Sequence, residues 1–540
     1  MASLLARVRA FVLLESTGLT LAFWTAVLLQ SLAFLLCPYP PMIDYPQHVA
    51  MGAVFHRMLD RSAPEWQIFE TNLFTYNAGF PTVLAYLCYL FRPELAGRVL
   101  FSFYPILWAS AALAFCDLAK RPRWYAALAI PIAFHFTAGW GFANYVLTLP
   151  VALLAFAGWV RIAEGSRSRL LLGAVIATTL AVAYTHVLVT LSICICVGVV
   201  GLERLLRQSD DRIADRIRSL VVPAIVMVPA VAYSLAAWWW ARKTSHTFWE
   251  HAWADGMDEP AWQKMRYLVY NLSGNFLDHS DQNLTIAAAG IGVAVWIYAF
   301  RAGWEPRMRR LAIVFFALYL VVPKVMLGTF HIYIRLLPIA AIFAVAALPV
   351  VRDGVRWLAV AAVSIAVVSG GNLLHKFLTI PEVDDAMAII DDIPEGRAVI
   401  GVTWDPKPAG WYREIWVHLP AIYQARRRGL IAYTFARNES PPIRYQAGKE
   451  PLRPPGGFEW NGSLYDVHQP YARKFDTVLV RGWIDPTSGR AIEDPAPYVF
   501  KDLASYMPLM SRRGRFFLYD ASVLGRMAEG GASALPAVGE

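Results

Sequence analysis

The stretch Cys37-Pro38-Tyr39-Pro40-Pro41-Met42-Ile43-Asp44-Tyr45-Pro46-Gln47-His48 follows directly on an apolar run over 19–37. Three prolines within four residues forbid continuation of that helix. Pro46 suits the first turn of a new one, expected over about 47–60. Asp44 then falls at or just before the new N-terminus. Two readings compete for it. It is a cap for free backbone N–H groups, or it is a carboxylate held at a membrane surface with His48 one turn further on the same face. The two are compatible, because a capped carboxylate still accepts protons.

The membrane enters through composition. Of 540 residues 57% are hydrophobic and 16% charged, against about 25% charged in a soluble domain. That deficit over so long a chain excludes a disordered chain, a coiled coil and a disulfide scaffold, and points to many spans. Eleven spanning helices are expected, near 19–37, 97–118, 124–138, 144–160, 170–185, 187–205, 219–240, 284–300, 311–327, 332–350 and 356–377. The apolar stretch 79–91, about 13 residues, is short for a bilayer that needs about 20. It is assigned as a helix in the outer interface or dipping into it.

The net charge of +9 is a topology signal and not a nucleic-acid footprint. Residues 379–540 hold 19 basic and 20 acidic side chains, so the excess lies in the apolar part, with 30 basic and 20 acidic. With the N-terminus in the cytoplasm, nineteen of those 30 basic residues fall in inner loops. The outer turns near 139–143, 186 and 328–331 carry none. An odd span count then sends the C-terminal region outside, to the periplasm if the Arg- and Ala-rich composition is bacterial. The expected localisation is a bacterial inner membrane, multi-pass, with an uncleaved first span. The five cysteines all lie in or beside apolar stretches and read as small core residues.

Chemistry concentrates on the outer side, in loops 38–96 and 241–283 and in a polar domain over 379–526. His135 and Asn144 flank the turn between spans three and four, and His186 sits in the turn between spans five and six. A lone membrane histidine is usually a packed, hydrogen-bonded residue; two at the depth of Asp44 weigh against that. Lys324 in span nine and Arg335 in span ten lie within two turns of the outer surface, with His331 between them. Ionisable groups inside a span are costly and usually functional. They either snorkel to headgroups or form a cationic pocket for a phosphate. Loop 241–283 opens on Trp238-Trp239-Trp240 and continues through His246, Phe248, Trp249, His251 and Trp253, an aromatic belt or a stacking surface for sugars. An amphipathic interfacial helix is expected over 259–277.

In the outer domain, 397–404, 475–480 and 515–519 read as strands, 411–427 and 497–507 as helices, and 440–463 as a long loop. The result is a small α/β domain, with 527–540 a disordered tail. No nucleophile elbow, phosphate loop or zinc spacing occurs in it. It is expected to bind the acceptor, cap the site or serve as a structural lid.

Residues 10–380 resemble the GT-C glycosyltransferases. The likeness is carried by Asp44 soon after the first span, the long first outer loop, the short loops that follow, a basic residue late in the bundle and the polar C-terminal domain. The strings Ile43-Asp44-Tyr45-Pro46-Gln47-His48, Gly141-Phe142-Ala143-Asn144-Tyr145 and Ala183-Tyr184-Thr185-His186 look like those of many bacterial members. The resemblance implies an all-α polytopic bundle over 1–378 with a C-terminal α/β extracytoplasmic domain. It implies transfer of a hexose or pentose, with inversion, from a polyprenyl-phosphate-linked donor to a glycan, lipid or protein acceptor on the outer face. Asp44 would be the base and His48 its partner. Arg335 and Lys324 would meet the departing phosphate, and His135, Asn144, His186 and His331 would line the pocket. The paired acids of several branches are missing, so no metal or other cofactor is expected. Membrane lipid is an expected partner and nucleic acid is not. The alternatives are a transporter or flippase of lipid-linked saccharide and a non-catalytic envelope assembly protein. Against the transporter stand the lack of an internal repeat and of an acid in mid-membrane.

Overall fold

The computed structural model describes residues 13–206, 213–244, 259–274, 279–299, 303–326, 329–351, 356–437, 441–451, 454–482 and 506–529. Each expected span coincides with a helical segment. Among the described residues, six are long and apolar enough to cross a membrane: Thr17–Leu36, Pro93–Leu118, Ala143–Ala163, Val187–Leu206, Leu220–Trp240 and Arg356–Leu378. The other five are shorter, broken or more polar. Arg169–Thr185, Ser280–Tyr298, Pro306–Val321 and Leu337–Ala347 are helices. The third expected span is a 3-10 segment Arg123–Ala129 followed by Ile130–Ala133 and Phe136–Trp140.

That broken span survives because its freed carbonyls find side-chain donors in the bundle. Trp108 Nε1 donates to Ala129 O at 2.8 Å, Tyr104 OH to Ala133 O at 2.6 Å and Gln30 Nε2 to Ile130 O at 3.2 Å. Irregular backbone at membrane depth is tolerated where protein encloses it, and residues 124–139 are buried throughout.

The stretch 79–91 holds a nine-residue helix, Gly79–Leu87. At about 1.5 Å per residue it is far too short to cross a bilayer. It lies against the Tyr45–Met58 helix with Phe80, Leu84 and Ala85 inward. Gly52 lets Leu84 approach so closely that a Cβ there would sit 2.3 Å from its Cδ2. The amphipathic segment over 259–277 is two short helices, Ala261–Arg266 and Leu268–Leu272. His246, Phe248, Trp249, His251 and Trp253 lie outside the described residues.

The C-terminal domain has a five-stranded sheet in the order Leu430–Ile431, Ala398–Thr403, Thr477–Arg481, Phe516–Asp520, Leu509–Arg513. The first three strands are parallel; the last two join antiparallel. All five residues of Thr477–Arg481 are buried, as a central strand requires. Three differences from expectation matter. The helix expected over 411–427 is helical only at Pro420–Arg427. Upstream of it, the Trp416 amide is spent on Pro406 O at 3.1 Å and the Ile415 carbonyl on Tyr39 OH at 2.8 Å. The expected loop over 440–463 contains the strand Ile443–Tyr445, paired antiparallel with Phe69–Thr71 of the first outer loop. The helix Ser522–Glu529 covers the first residues of the expected tail; 497–505 and 530–540 lie outside the described residues.

The domain is fastened to the bundle. Arg57 donates to the Gln424 and Ala425 carbonyls at 3.1 Å each and pairs with Glu65. Arg426 pairs with Glu94, and Arg444 with Glu70 at 2.5 Å. Gln47 Nε2 donates to Tyr433 O at 2.9 Å, and its Oε1 accepts from Phe435 N–H at 3.3 Å. These contacts hold the domain over the helix that begins at Asp44.

Candidate active site at the Asp44 turn

Asp44 is the N-cap residue of Tyr45–Met58, yet its side chain makes no capping hydrogen bond. The backbone fixes it instead: Asp44 N–H donates to Trp140 O at 2.9 Å. That contact needs Gly141. It has φ +89°, and a Cβ there would lie 3.0–3.1 Å from Met42 Cβ, Tyr45 N and Asp44 N. Gly141→Ala is expected to lower stability by about 1–3 kcal/mol through left-handed strain and this crowding. Denaturant titration of the purified protein checks it.

The freed carboxylate faces the C-terminal domain. Asp44 Oδ1 lies 3.4 Å from His418 Nε2, with side chains 11% and 3% exposed. The charge of Asp44 also reaches His48 and the Arg335 guanidinium. Arg335 is 5% exposed and opens the bundle helix Leu337–Ala347 from a 3-10 turn, Tyr333–Leu336. Its Nη2 donates to Phe330 O at 3.2 Å, its Nη1 lies 3.2 Å from His186 Nε2, and its Cζ sits 4.1 Å above the Phe142 ring. The Tyr145 hydroxyl donates to its carbonyl. Arginine has no acceptor, so His186 accepts at Nε2 and carries its proton on Nδ1. The acid after the first span and the cation late in the bundle thus meet at one turn, Gly141 lying against the Asp44 backbone and Phe142 under Arg335.

The remaining candidates fall into different settings. Lys324 is not in a span: the helix Pro306–Val321 ends before Pro323, and Lys324 leads into the hairpin Val325–Met326/Thr329–Phe330. Its Nζ is paired with Glu259 Oε1 at 2.8 Å, and Tyr333 OH donates to the other Glu259 oxygen. Burial works to raise the Glu259 carboxyl, but those two hydrogen bonds outweigh it and hold it below the usual range. His331, with φ +58°, packs against Trp140 and Phe136 at 4.6 and 5.3 Å, within reach of the charges of Lys324, Arg335 and Arg413. His135 is fully enclosed, with Thr137 Oγ1 at 2.6 Å from Nδ1 and Tyr104 OH at 3.4 Å from Nε2. It has the setting of a packed residue. Asn144 accepts from Phe80 N–H at 2.8 Å and donates to Asn77 O at 3.1 Å. It clamps the Gly79–Leu87 helix to the bundle.

Sequence reasoning missed two residues here, both from the irregular stretch 411–419. One is His418. The other is Arg413, buried under the Phe136 ring at 4.5 Å and donating twice to Gly274 O at 3.0 and 2.8 Å. The available signal was a histidine and an arginine inside the aromatic run Trp411-Tyr412-Arg413-Glu414-Ile415-Trp416-Val417-His418, too apolar for an exposed face of a polar domain. The other acids of the first loop are committed elsewhere: Glu65 to Arg57, Glu70 to Arg444, Glu94 to Arg426 and Asp60 to Ser62. Among the described residues no three His, Cys, Asp or Glu side chains cluster as metal ligands would.

Among the described residues, Arg335 Nε, His186 Nδ1, His331 Nδ1 and His418 Nδ1 are buried without a hydrogen-bond partner. Buried polar atoms are nearly always satisfied; Gln30 Oε1, Arg98 Nε and Trp416 Nε1 elsewhere in the fold are in the same state. Burial pushes the His48 imidazole down from 6.5 to about 4, with Asp44 opposing, and His331 likewise to about 4. A histidine with a folded pKa below its unfolded one favours folding fully above the unfolded value. That contribution is lost as pH falls from 6.5 toward 4, and it amounts to about 1.4 kcal/mol for each tenfold loss of proton affinity on folding. The melting temperature should therefore fall across this window, and His48→Gln should flatten the fall.

No family model matches the chain, and no curated protein does. Among solved structures, the chain is similar to the crystal structure of ArnT from Cupriavidus metallidurans in the apo state. The TM-score is 0.55, over 91% of this chain and 96% of that one, at 12% sequence identity. At that identity the likeness is one of fold: the chain shares with that structure a polytopic helical bundle carrying a small C-terminal α/β domain.

Proposed function

We propose that the chain is an integral-membrane glycosyltransferase, moving a hexose or pentose from a polyprenyl-phosphate-linked donor to an acceptor on the outer face. The observation that carries the reading is that the uncapped Asp44 carboxylate and the buried Arg335 guanidinium share one turn, with Gly141 against the Asp44 backbone and Phe142 under the guanidinium. Sugar transfer needs a base for the acceptor hydroxyl and positive charge for the leaving phosphate, and these two groups supply them. Nucleotide sugars are made in the cytoplasm, so a donor used outside is expected to be lipid-anchored. The apolar bundle suits such a lipid.

In this reading Asp44 takes the proton as the acceptor oxygen bonds the anomeric carbon. The bond from that carbon to the phosphate oxygen breaks with its electron pair on the phosphate, facing Arg335. A single displacement inverts the anomeric centre. Arg413 extends the cationic side of the site, His331 lines it as a neutral imidazole, and Lys324, neutralised by Glu259, contributes less. The N-terminus is cytoplasmic and the C-terminal domain periplasmic, as the loop charges suggest. The test is incubation of purified protein with a panel of polyprenyl-phospho-sugars and envelope acceptors, read by lipid mass spectrometry. Donor consumption with a glycosylated product is expected. Movement of intact lipid-linked saccharide across a proteoliposome without transfer would favour a transporter and overturn this reading.

A further inference from the structure

His418 belongs to the C-terminal domain but sits in the bundle's site. Its imidazole stacks on Tyr433, with ring centroids 5.0 Å apart and 7° between planes, and meets Phe435 and Trp460 edge-on at 6.2 and 6.3 Å. Nε2 is 3.4 Å from Asp44 Oδ1, while Nδ1 is buried without a partner. The ring is held from several sides. The backbone of 433–435 that carries its stacking partners is tied to Gln47, three residues beyond Asp44. Tyr39 binds the Ile415 carbonyl at 2.8 Å and packs on Trp416 at 5.1 Å, which fixes the other side. A histidine that merely filled space would not require its polar edge against the one uncommitted acid of the first loop.

We propose that His418 shares the acceptor's proton with Asp44, so that the base of the transfer site is an acid–imidazole pair assembled from the bundle and the C-terminal domain. This deepens the proposed transferase reading and rests on it. The acceptor O–H bond breaks toward Asp44 as its oxygen bonds the anomeric carbon, and the anomeric C–O bond releases its electron pair to the phosphate. The proton is then held between the Asp44 carboxylate and His418 Nε2. His418 acts through Asp44 and is therefore a positioning residue that also accepts charge. The charges of the pair reach His48, that of Asp44 reaches Arg335, and the Tyr433 ring covers one face of His418. On its own segment Arg413 is spent on Gly274 O, and Glu414 on Lys407 at 3.1 Å.

The test is the pH profile of kcat for sugar transfer by the full chain, wild type against His418→Gln. A base backed by an imidazole loses activity on acidification at a higher pH than a lone carboxylate does. His418→Gln is expected to move the limb to lower pH, with kcat about tenfold lower above the limb and KM unchanged. Folding is checked by size exclusion and melting. Should the Gln variant not fold, His418→Ala with added imidazole replaces it, and recovery of the wild-type limb is the supporting result. A limb that stays in place in His418→Gln, or that imidazole does not restore in His418→Ala, overturns the pair while leaving the transferase reading intact. No transfer by the wild type overturns both.

Discussion

Asp44→Asn should lower kcat for sugar transfer by about 10²–10⁴-fold, the usual contribution of a positioned base, with KM nearly unchanged. The substitution is close to isosteric, and the Asp44 backbone is held by Trp140 O and by the close approach of Gly141. The side chain makes no capping bond, so the variant has no cap to lose and should melt near the wild type. This separates the two readings of the residue. A cap would cost about 1 kcal/mol of stability when removed and leave chemistry intact. A base would cost roughly 3–5 kcal/mol of transition-state energy and leave stability intact. Kinetics and melting of one variant distinguish them.

Arg335→Ala should cost about 10²–10³-fold in kcat, in line with loss of a group that stabilises developing negative charge. Here stability will also fall. The guanidinium donates to Phe330 O and meets His186 Nε2, and an acceptor left buried and unpaired costs about 1–3 kcal/mol. Arg335→Lys is the cleaner comparison, since it keeps the charge and the bundle is less disturbed. It cannot reproduce a planar guanidinium over Phe142 while bonding His186 and Phe330 together. About tenfold of the loss should remain in Arg335→Lys, and a phosphate-free donor analogue should bind wild type and variant equally.

How far the chain could be read without coordinates depended on whether the deciding physics was local. The turn after the first span was legible because three prolines stop one helix and a fourth starts the next. The short 79–91 helix was legible from length alone. Lys324 was misplaced because its apolar neighbours read as a span, although Pro323 ends the helix before it. The third span kept its helical look in sequence and lost it in the structure, since the donors that allow the break, Trp108, Tyr104 and Gln30, come from distant positions. His135 and Asn144 could not be told from pocket residues by type; only the atoms taking up their polar groups assign them to packing. His186 and Arg335 are 149 residues apart, and no periodicity joins them. His418 and Arg413 were hidden because 411–427 has helical spacing, whereas docking onto Tyr39 and Phe136 unwinds its first half.

The most direct test is a double-mutant cycle on transfer, comparing wild type, Asp44→Asn, Arg335→Lys and the double variant under single-turnover conditions with one lipid-linked donor. If the acid and the cation serve one displacement, the double variant should be scarcely slower than Asp44→Asn alone, because groups that act as a unit do not lose energy additively. Fully additive losses, or wild-type turnover in either single variant, would contradict the account.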